Sequence, residues 1–240
     1  MSKNQIVIDL VNMAESLPAN LNKLKRLILQ LRDAHSMRTD LQMAFDFVGS
    51  MEELRDRTNR SQMVSADENV FLGLLYSSII LYARATKTSS GHRKYRYDFF
   101  SNYDDDEKVK HENLCALRDD TLAHFGPGKI HGKAFHSDGV FLIFDPDGSG
   151  QVATLSSRII IPPSLIDTLR QMTHRALMLV GRRLHELDGL VTEEITKSPD
   201  LRDLIQAHRI DFAKFVGSEK AAQEILGGPR VGYRRGSARH

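Results

Sequence analysis

The sequence contains no tryptophan, one cysteine and only 7% aromatic residues in 240 positions. Cys115 has no partner for an internal disulfide, so we expect the protein to work in a reducing compartment, the cytoplasm. The longest uncharged run, residues 69–83, is too short to cross a membrane, and the first residues lack the pattern of a signal peptide. With few aromatics, a hydrophobic core must consist mainly of Leu, Ile, Val and Met, which favours helices.

The sequence also lacks a large charge of either sign, with 33 Lys and Arg against 31 Asp and Glu and a net charge of +2. The last twelve residues carry no acid and four arginines, so the rest of the chain has a net charge of −2. A protein that attracts nucleic acid over long distances usually carries a clear basic stripe, which these totals do not indicate. Any contact with a polyanion must therefore be local.

Apolar residues recur at the helical period along most of the chain. Pro18 ends a first short helix, and Gly49 and Gly189 are expected to break or end two long ones. Ser65 and Glu68 have the spacing of a capping box, and acidic residues 104–107 favour another helix start. Leu165 begins the apolar stripe of a helix capped by Ser164. The predicted helices span residues 4–16, 20–49, 65–87, 104–125, 164–189 and 198–215; the inward stripe of the fourth is Val109, Leu114, Leu117 and Thr121.

Two β-branched and aromatic runs flank a turn-rich segment, residues 145–150, and predict a β-hairpin at about residues 139–161. The turn resembles the first half of a calcium-binding loop, but Ser156 stands where a bidentate Glu is required. The spacings of His and Cys do not match a zinc site. We therefore expect no metal ion and no cofactor.

Arg118, Asp119 and His124 lie at the end of the fourth predicted helix. Arg can bind a phosphate through two hydrogen bonds, and His titrates near neutral pH and can transfer protons. Six residues on an ideal helix correspond to about 600°, so the Arg and His side chains point about 120° apart. The pair can belong to a cleft shared with a second subunit, or it can serve only the helix end, with Arg118 in an ion pair and His124 near the helix dipole.

The segment Leu117-Arg-Asp-Asp-Thr-Leu-Ala-His124 resembles the Arg-x(4–6)-His motif of the HEPN superfamily, in particular its bacterial branch related to abortive-infection proteins. The predicted helix at residues 71–84 is similar to the second helix of that branch. The resemblance implies a four-helix core that dimerises with the two motifs facing each other, and metal-independent RNA cleavage. It makes His124 the general acid or base, Arg118 the group that stabilises charge on the phosphate, and Asp119, where catalytic members most often have Asn, an orienting residue.

Three further features flank this motif. His111 is one heptad before Arg118 and can reach the same cleft, although we expect a solvated surface residue. Cys115 is expected to be a small buried residue. Arg93, Lys94 and Arg96 alternate with Tyr95 and Tyr97, a pattern that can bind and stack single-stranded RNA, or that belongs to a polar loop without that role.

The sequence thus predicts a mainly α protein, a HEPN-like bundle of four core helices with extra terminal helices and a β-hairpin insertion. It predicts a single domain at residues 1–226 and a basic, disordered tail at 227–240, whose arginines either add affinity for phosphate or are only solvated. The expected function is a metal-independent endoribonuclease in stress or phage defence, as a homodimer acting on RNA such as tRNA and restrained by an inhibitory partner protein. The alternatives are a non-catalytic HEPN-like module that binds nucleotide, RNA or a protein, and an unrelated helical bundle.

Overall fold

A computed structural model of the chain describes residues 6–58, 65–87, 93–122, 136–144, 150–158, 163–198 and 201–227, and these are mainly helical. His124 and the predicted tail from residue 228 onward lie outside the described residues. The chain divides into two compact units: a central unit, residues 30–188, and a terminal unit, residues 1–29 with 189–240.

Two long helices, α2 (Asn22–Thr58) and α3 (Ser65–Thr86), begin the helical core. The start and end of α3 agree with the prediction, but the expected break of α2 near Gly49 is wrong. A Cβ atom at Gly49 would meet nothing within 4 Å, so this glycine neither admits a close neighbour nor interrupts the helix. Leu41, Ala44 and Val48 are fully buried at helical spacing, and their packing outweighs the helix cost of one glycine, roughly 1 kcal/mol.

The helix α4 (Asp105–Ala116) starts where the acidic cluster predicts. The Asp104 side chain accepts a hydrogen bond from the Glu107 backbone N–H, and the Glu107 side chain accepts one from the Asp104 backbone N–H, which forms a capping box. The predicted inward position of Val109 is wrong, because its side chain is exposed. A π-helical turn, Leu117–Leu122, follows α4 directly and carries Arg118 and Asp119.

The helix α5 (Pro163–Thr196) passes through Gly189, where the sequence predicts its end. That prediction is wrong. A Cβ atom at Gly189 would meet nothing within 4 Å, so this glycine, like Gly49, does not interrupt the helix. Buried residues at helical spacing, including Leu187 and Val191, continue on both sides of this glycine.

Polar contacts in the central unit link α2, α3, α4 and α5 in a ring. Asp40 on α2 binds Arg84 on α3, and Tyr82 on α3 binds His111 on α4 at 2.9 Å. The ring is completed by the pairs Glu107–Arg175 (3.0 Å), between α4 and α5, and Arg170–Glu52 (2.6 Å), between α5 and α2. The four helices therefore pack as neighbours around one core.

Two antiparallel strands, β2 (His136–Phe144) and β3 (Gly150–Arg158), lie between the π-helical turn and α5 in sequence. They overlap the two runs from which the sequence predicts a hairpin, with His136 opposite Arg158 and Phe144 opposite Gly150. Leu142 and Val152, a paired position, are both exposed.

The terminal unit differs more from its prediction. Val7 and Ile8 form β1, which pairs with β4 (Arg209–Ile210), so the first helix, α1 (Leu10–Glu15), starts later than predicted, at the N-cap Asp9. The single helix expected at residues 198–215 is wrong. The chain instead forms α6 (Arg202–Ala207), then β4, and then α7 (Phe212–Val216) and α8 (Glu219–Gly227), with Gly217 in the left-handed conformation between them.

None of the helices in the described part of the chain is long and apolar enough to cross a membrane.

Candidate functional site

The side chains of Arg118 and Asp119, two of the three predicted catalytic residues, form a hydrogen bond. The Arg118 Nη1 atom donates a hydrogen bond to Asp119 Oδ1 at 2.6 Å. Their side chains are 37% and 34% exposed, so both remain accessible to a ligand. Asp119 therefore contacts Arg118, and its role in orienting Arg118 or His124 stays a prediction.

Lys87, which the sequence analysis does not single out, is the third member of this group. It follows the last residue of α3, and its Nζ atom donates a hydrogen bond to Asp119 Oδ2. Its side chain is 48% exposed. The sequence places Lys87 at a helix end, but it gives no signal for a contact with a residue 32 positions away.

The charges of this cation–carboxylate group, Lys87, Arg118 and Asp119, support one another. Partial burial alone would raise the pKa of Asp119, but the hydrogen bonds from Lys87 and Arg118 outweigh it and hold that pKa below its usual value. The hydrogen bond to Asp119 raises the pKa of Lys87. At neutral pH the group therefore holds one carboxylate between two cations, with a net positive charge.

The predicted role of His124 stays a prediction, because this residue lies outside the described part of the chain. The π-helical turn does change the argument from spacing. In this turn the hydrogen bonds run i→i+5 and the helix is wider than an α helix, so the ideal α-helical angle per residue does not hold over Leu117–Leu122.

A buried polar cluster lies one to two helical turns before Arg118. His111 Nδ1 is 2.9 Å from the Tyr82 hydroxyl, and that hydroxyl is 3.4 Å from the Tyr103 hydroxyl. Cys115 Sγ lies 3.7 Å from His111 Nε2. The expectation of a surface His111 is wrong, since the residue is only 7% exposed, whereas the expected burial of Cys115 is confirmed.

This buried cluster favours neutral side chains. Desolvation, followed by the charge of Lys87, lowers the pKa of His111. Burial raises the pKa of the Cys115 thiol to about 11 and raises the pKa of Tyr82 further above its usual value. The cluster therefore consists of neutral, hydrogen-bonded side chains that precede the accessible Arg118 and Asp119 in the chain. Cys115 does not supply a reactive thiolate.

The predicted RNA-binding residues differ in their surroundings. The Arg93 guanidinium donates hydrogen bonds to the Arg84 carbonyl at 2.9 Å, to Ser36 Oγ at 3.0 Å and to Asp40 Oδ2, and its side chain is only 9% exposed. These contacts bind Arg93 within the fold. Lys94 and Arg96 are exposed, so they are the cations of this loop that solvent can reach.

Two buried carboxylates of α2 hold this loop. Asp40 binds Arg93, as above, and Asp33, one heptad earlier, accepts a hydrogen bond from the Tyr95 backbone N–H at 3.0 Å. Both carboxylates are almost completely buried, at 1% exposure for Asp33 and 5% for Asp40. Their heptad spacing within an apolar stripe is the sequence signal that could have identified them as anchors.

A small cavity of about 10 Å³ lies between the loop and the end of α3. It is lined by Thr86, the neighbour of Lys87, and by Tyr95, Arg96 and Tyr97. Burial raises the pKa of Tyr97 even though the positive charge of nearby Arg182 opposes this effect. Arg96 and Thr86 therefore line one cavity, and Thr86 directly precedes Lys87 of the cation–carboxylate group in the chain.

No group of three or more His, Cys, Asp or Glu side chains in the described ranges is arranged to hold a metal ion. Comparison of the chain with protein-family models, with curated proteins and with solved structures finds no match.

Proposed function

We propose that the chain is a HEPN-like protein that binds single-stranded RNA and cleaves it without a metal ion. In this proposal the ring of α2, α3, α4 and α5 is the HEPN-like four-helix core, and the β2–β3 hairpin is an insertion between its third and fourth helices. The order of the four helices along the chain and the position of Arg118 after the third one support this interpretation.

One observation carries the proposal. Each of two separate sequence patterns has a contact at the C-terminal end of α3: Asp119 of the Arg118–Asp119 motif binds Lys87, and Arg96 and Tyr97 of the loop line a small cavity with Thr86. Because the two patterns are separate in the sequence, contacts at the same helix end support the proposal that they serve one surface. An RNA strand on this surface can stack on Tyr97 and contact Arg96 while a phosphate reaches Arg118.

The proposed chemistry is intramolecular attack of a ribose 2′-hydroxyl on the adjacent phosphorus. As the O2′–P bond forms and the P–O5′ bond breaks, the 2′-hydroxyl loses a proton and the 5′-oxygen gains one; His124 performs one of these two transfers and water the other. Arg118 stabilises the negative charge that develops on the phosphate oxygens. The products carry a 2′,3′-cyclic phosphate and a 5′-hydroxyl. We also propose a homodimer in which the motifs of two subunits line one cleft, with an inhibitory partner protein and a role in stress or phage defence.

The test is cleavage of total RNA and tRNA by the purified protein in EDTA, with Arg118→Ala and His124→Ala variants. Removing a general acid or base typically costs about 10²- to 10⁴-fold in rate, and removing one group that stabilises developing charge costs about 10²- to 10³-fold, so we expect both variants to lose detectable cleavage. Arg26→Ala and His185→Ala, at exposed positions outside the site, are the matched controls and should cleave like the parent.

Circular dichroism and light scattering should show that all five proteins share one fold and one oligomeric state. Cleavage that survives in both site variants, or an inert parent, would contradict the catalytic proposal. An inert parent that still binds RNA would favour the alternative, a non-catalytic HEPN-like binding module.

A further inference from the structure

We propose that Lys87 and Arg118 form a two-cation clamp for a single RNA phosphate, and that the Asp119 carboxylate occupies this clamp until the phosphate displaces it. This inference deepens the proposed function and depends on its assignment of RNA as the ligand. It adds Lys87 as a phosphate-binding residue and gives Asp119 a second role, that of an internal competitor.

The argument begins with the two oxygens of the Asp119 carboxylate. Oδ1 accepts a hydrogen bond from Arg118 Nη1 at 2.6 Å, and Oδ2 accepts one from Lys87 Nζ. One anionic group thus bridges two cations through two oxygens. A phosphodiester also presents two non-bridging oxygens, which share one negative charge, and Arg and Lys bind phosphate as well as carboxylate. The cations are therefore already arranged for an anion with two acceptor oxygens.

The exposure of the three side chains allows a phosphate to displace the Asp119 carboxylate. Arg118, Asp119 and Lys87 are 37%, 34% and 48% exposed, so a ligand can approach without opening the fold. Ion pairs between solvent-exposed side chains are weak, because water and salt screen them. Releasing Asp119 therefore costs little compared with the contacts that an RNA phosphate gains from two cations.

The surrounding charges favour an anion once Asp119 has moved. Among the described residues, Asp119 is the carboxylate whose hydrogen bond raises the pKa of Lys87, and hydrogen bonds from Lys87 and Arg118 lower the pKa of Asp119 against the effect of burial. The side chains below the clamp, His111 and Cys115, are held neutral by burial and do not oppose a negative ligand. Replacing Asp119 by Asn would raise the net charge of the group from one positive charge to two.

The experiment measures equilibrium binding of a fluorescently labelled, single-stranded 2′-O-methyl RNA by anisotropy between 50 and 300 mM salt. This RNA lacks the attacking hydroxyl, so binding is observed apart from cleavage. Each phosphate contact of a single strand contributes a slope of about 0.7 to the dependence of log K on log salt. Loss of one contact therefore weakens binding about fivefold at 0.1 M salt.

We expect Lys87→Ala to bind about fivefold more weakly with the smaller salt slope, and Lys87→Arg to bind like the parent. Asp119→Asn should bind a few-fold more tightly, because the competing carboxylate is gone. Lys197→Ala is the matched control, since Lys197 also pairs with a carboxylate, Glu193, on an exposed surface.

Weaker or unchanged binding by Asp119→Asn, unchanged binding by Lys87→Ala, or no binding by the parent would each overturn the clamp. Unchanged binding by Lys87→Ala together with RNA cleavage by the parent would leave the proposed function intact. The expected binding shifts without any cleavage would instead support the clamp and refute the nuclease. The two failures are therefore distinguishable.

Discussion

Replacing Asp40 by Asn tests whether the loop that carries Lys94 and Arg96 is held in place by buried charge. Asp40 accepts hydrogen bonds from Arg84 and Arg93, and its side chain is 7% exposed. The substitution keeps the size of the side chain and removes its charge. The guanidinium of Arg93, which is 9% exposed, then remains inside the fold without an opposite charge.

The expected loss in the free energy of unfolding follows from the different exposure of Arg84 and Arg93, the two arginines that bind Asp40. Removing one partner of a buried ion pair costs about 3–5 kcal/mol, whereas an exposed pair contributes about 0–1 kcal/mol. Arg93 belongs to the first class and Arg84, whose side chain is 49% exposed, to the second. The Asn oxygen can still accept one hydrogen bond, so we expect a loss of about 2–4 kcal/mol in the free energy of unfolding.

The assay is urea unfolding of both proteins, followed by circular dichroism. Asp46→Asn is the matched control, because Asp46 lies on the same helix and is exposed. A change at an exposed position away from such networks is expected to stay within about 0.5 kcal/mol. A double-mutant cycle with Arg93→Gln isolates the coupling between residues 40 and 93.

The dependence on pH gives a second readout. Burial alone would raise the pKa of Asp40, but the hydrogen bonds from Arg84 and Arg93 outweigh it and lower that pKa in the folded protein. The unfolded chain therefore binds the proton more readily. This part of the stability is present above pH 4 and is lost as the pH falls towards the folded pKa. Asp40→Asn should unfold with a weaker pH dependence in this acidic range. A loss below 0.5 kcal/mol, or an unchanged acid dependence, would refute the reasoning.

Three further predictions concern the helices and the buried cluster. Gly49→Ala and Gly189→Ala should each stabilise the protein by about 0.5–1 kcal/mol in urea unfolding, since both glycines are helical and have open space at the Cβ position; destabilisation would contradict the unbroken helices. Cys115 should react with a thiol reagent at pH 8 only after urea unfolding, because burial raises its pKa to about 11. The stability contributed by His111 should fall as the pH drops below 6.5, since its folded pKa is lowered and the unfolded chain binds the proton first; His111→Gln should flatten this part of the pH profile.

The helices of the central unit were predictable because their signals are local. The reciprocal contacts of Asp104 and Glu107 in the capping box come from residues three positions apart, and they are visible in the sequence. The helix break predicted at Gly49 and the helix end predicted at Gly189 are wrong because the contacts that decide them are not local. A glycine costs a helix about 1 kcal/mol, and in α2 and α5 the burial of apolar residues on both sides exceeds that cost. Sequence alone gives the local cost and not the packing that outweighs it.

The difference between local signals and contacts between elements also explains which residues of the candidate site are predictable. Arg118 and Asp119 are adjacent, so their hydrogen bond needs no knowledge of the fold. Sequence reasoning misses Lys87 and wrongly expects His111 on the surface, because their partners, Asp119 and Tyr82, lie on other elements. A histidine among charged residues is typical of a helix surface, and its burial is favourable here because the Tyr82 hydroxyl provides a hydrogen-bond partner.

Net charge also proves a poor guide to where an anion can bind. The chain is nearly neutral, yet two of its carboxylates, Asp33 and Asp40, are buried and hold backbone and arginine groups within the fold. Such carboxylates enter the total charge but contribute little to the surface that a ligand meets. Asp119 is the opposite case, because it is accessible and can move away from its cations. The potential at the end of α3 therefore depends on which carboxylates can be displaced, and the Asp119→Asn variant measures this directly.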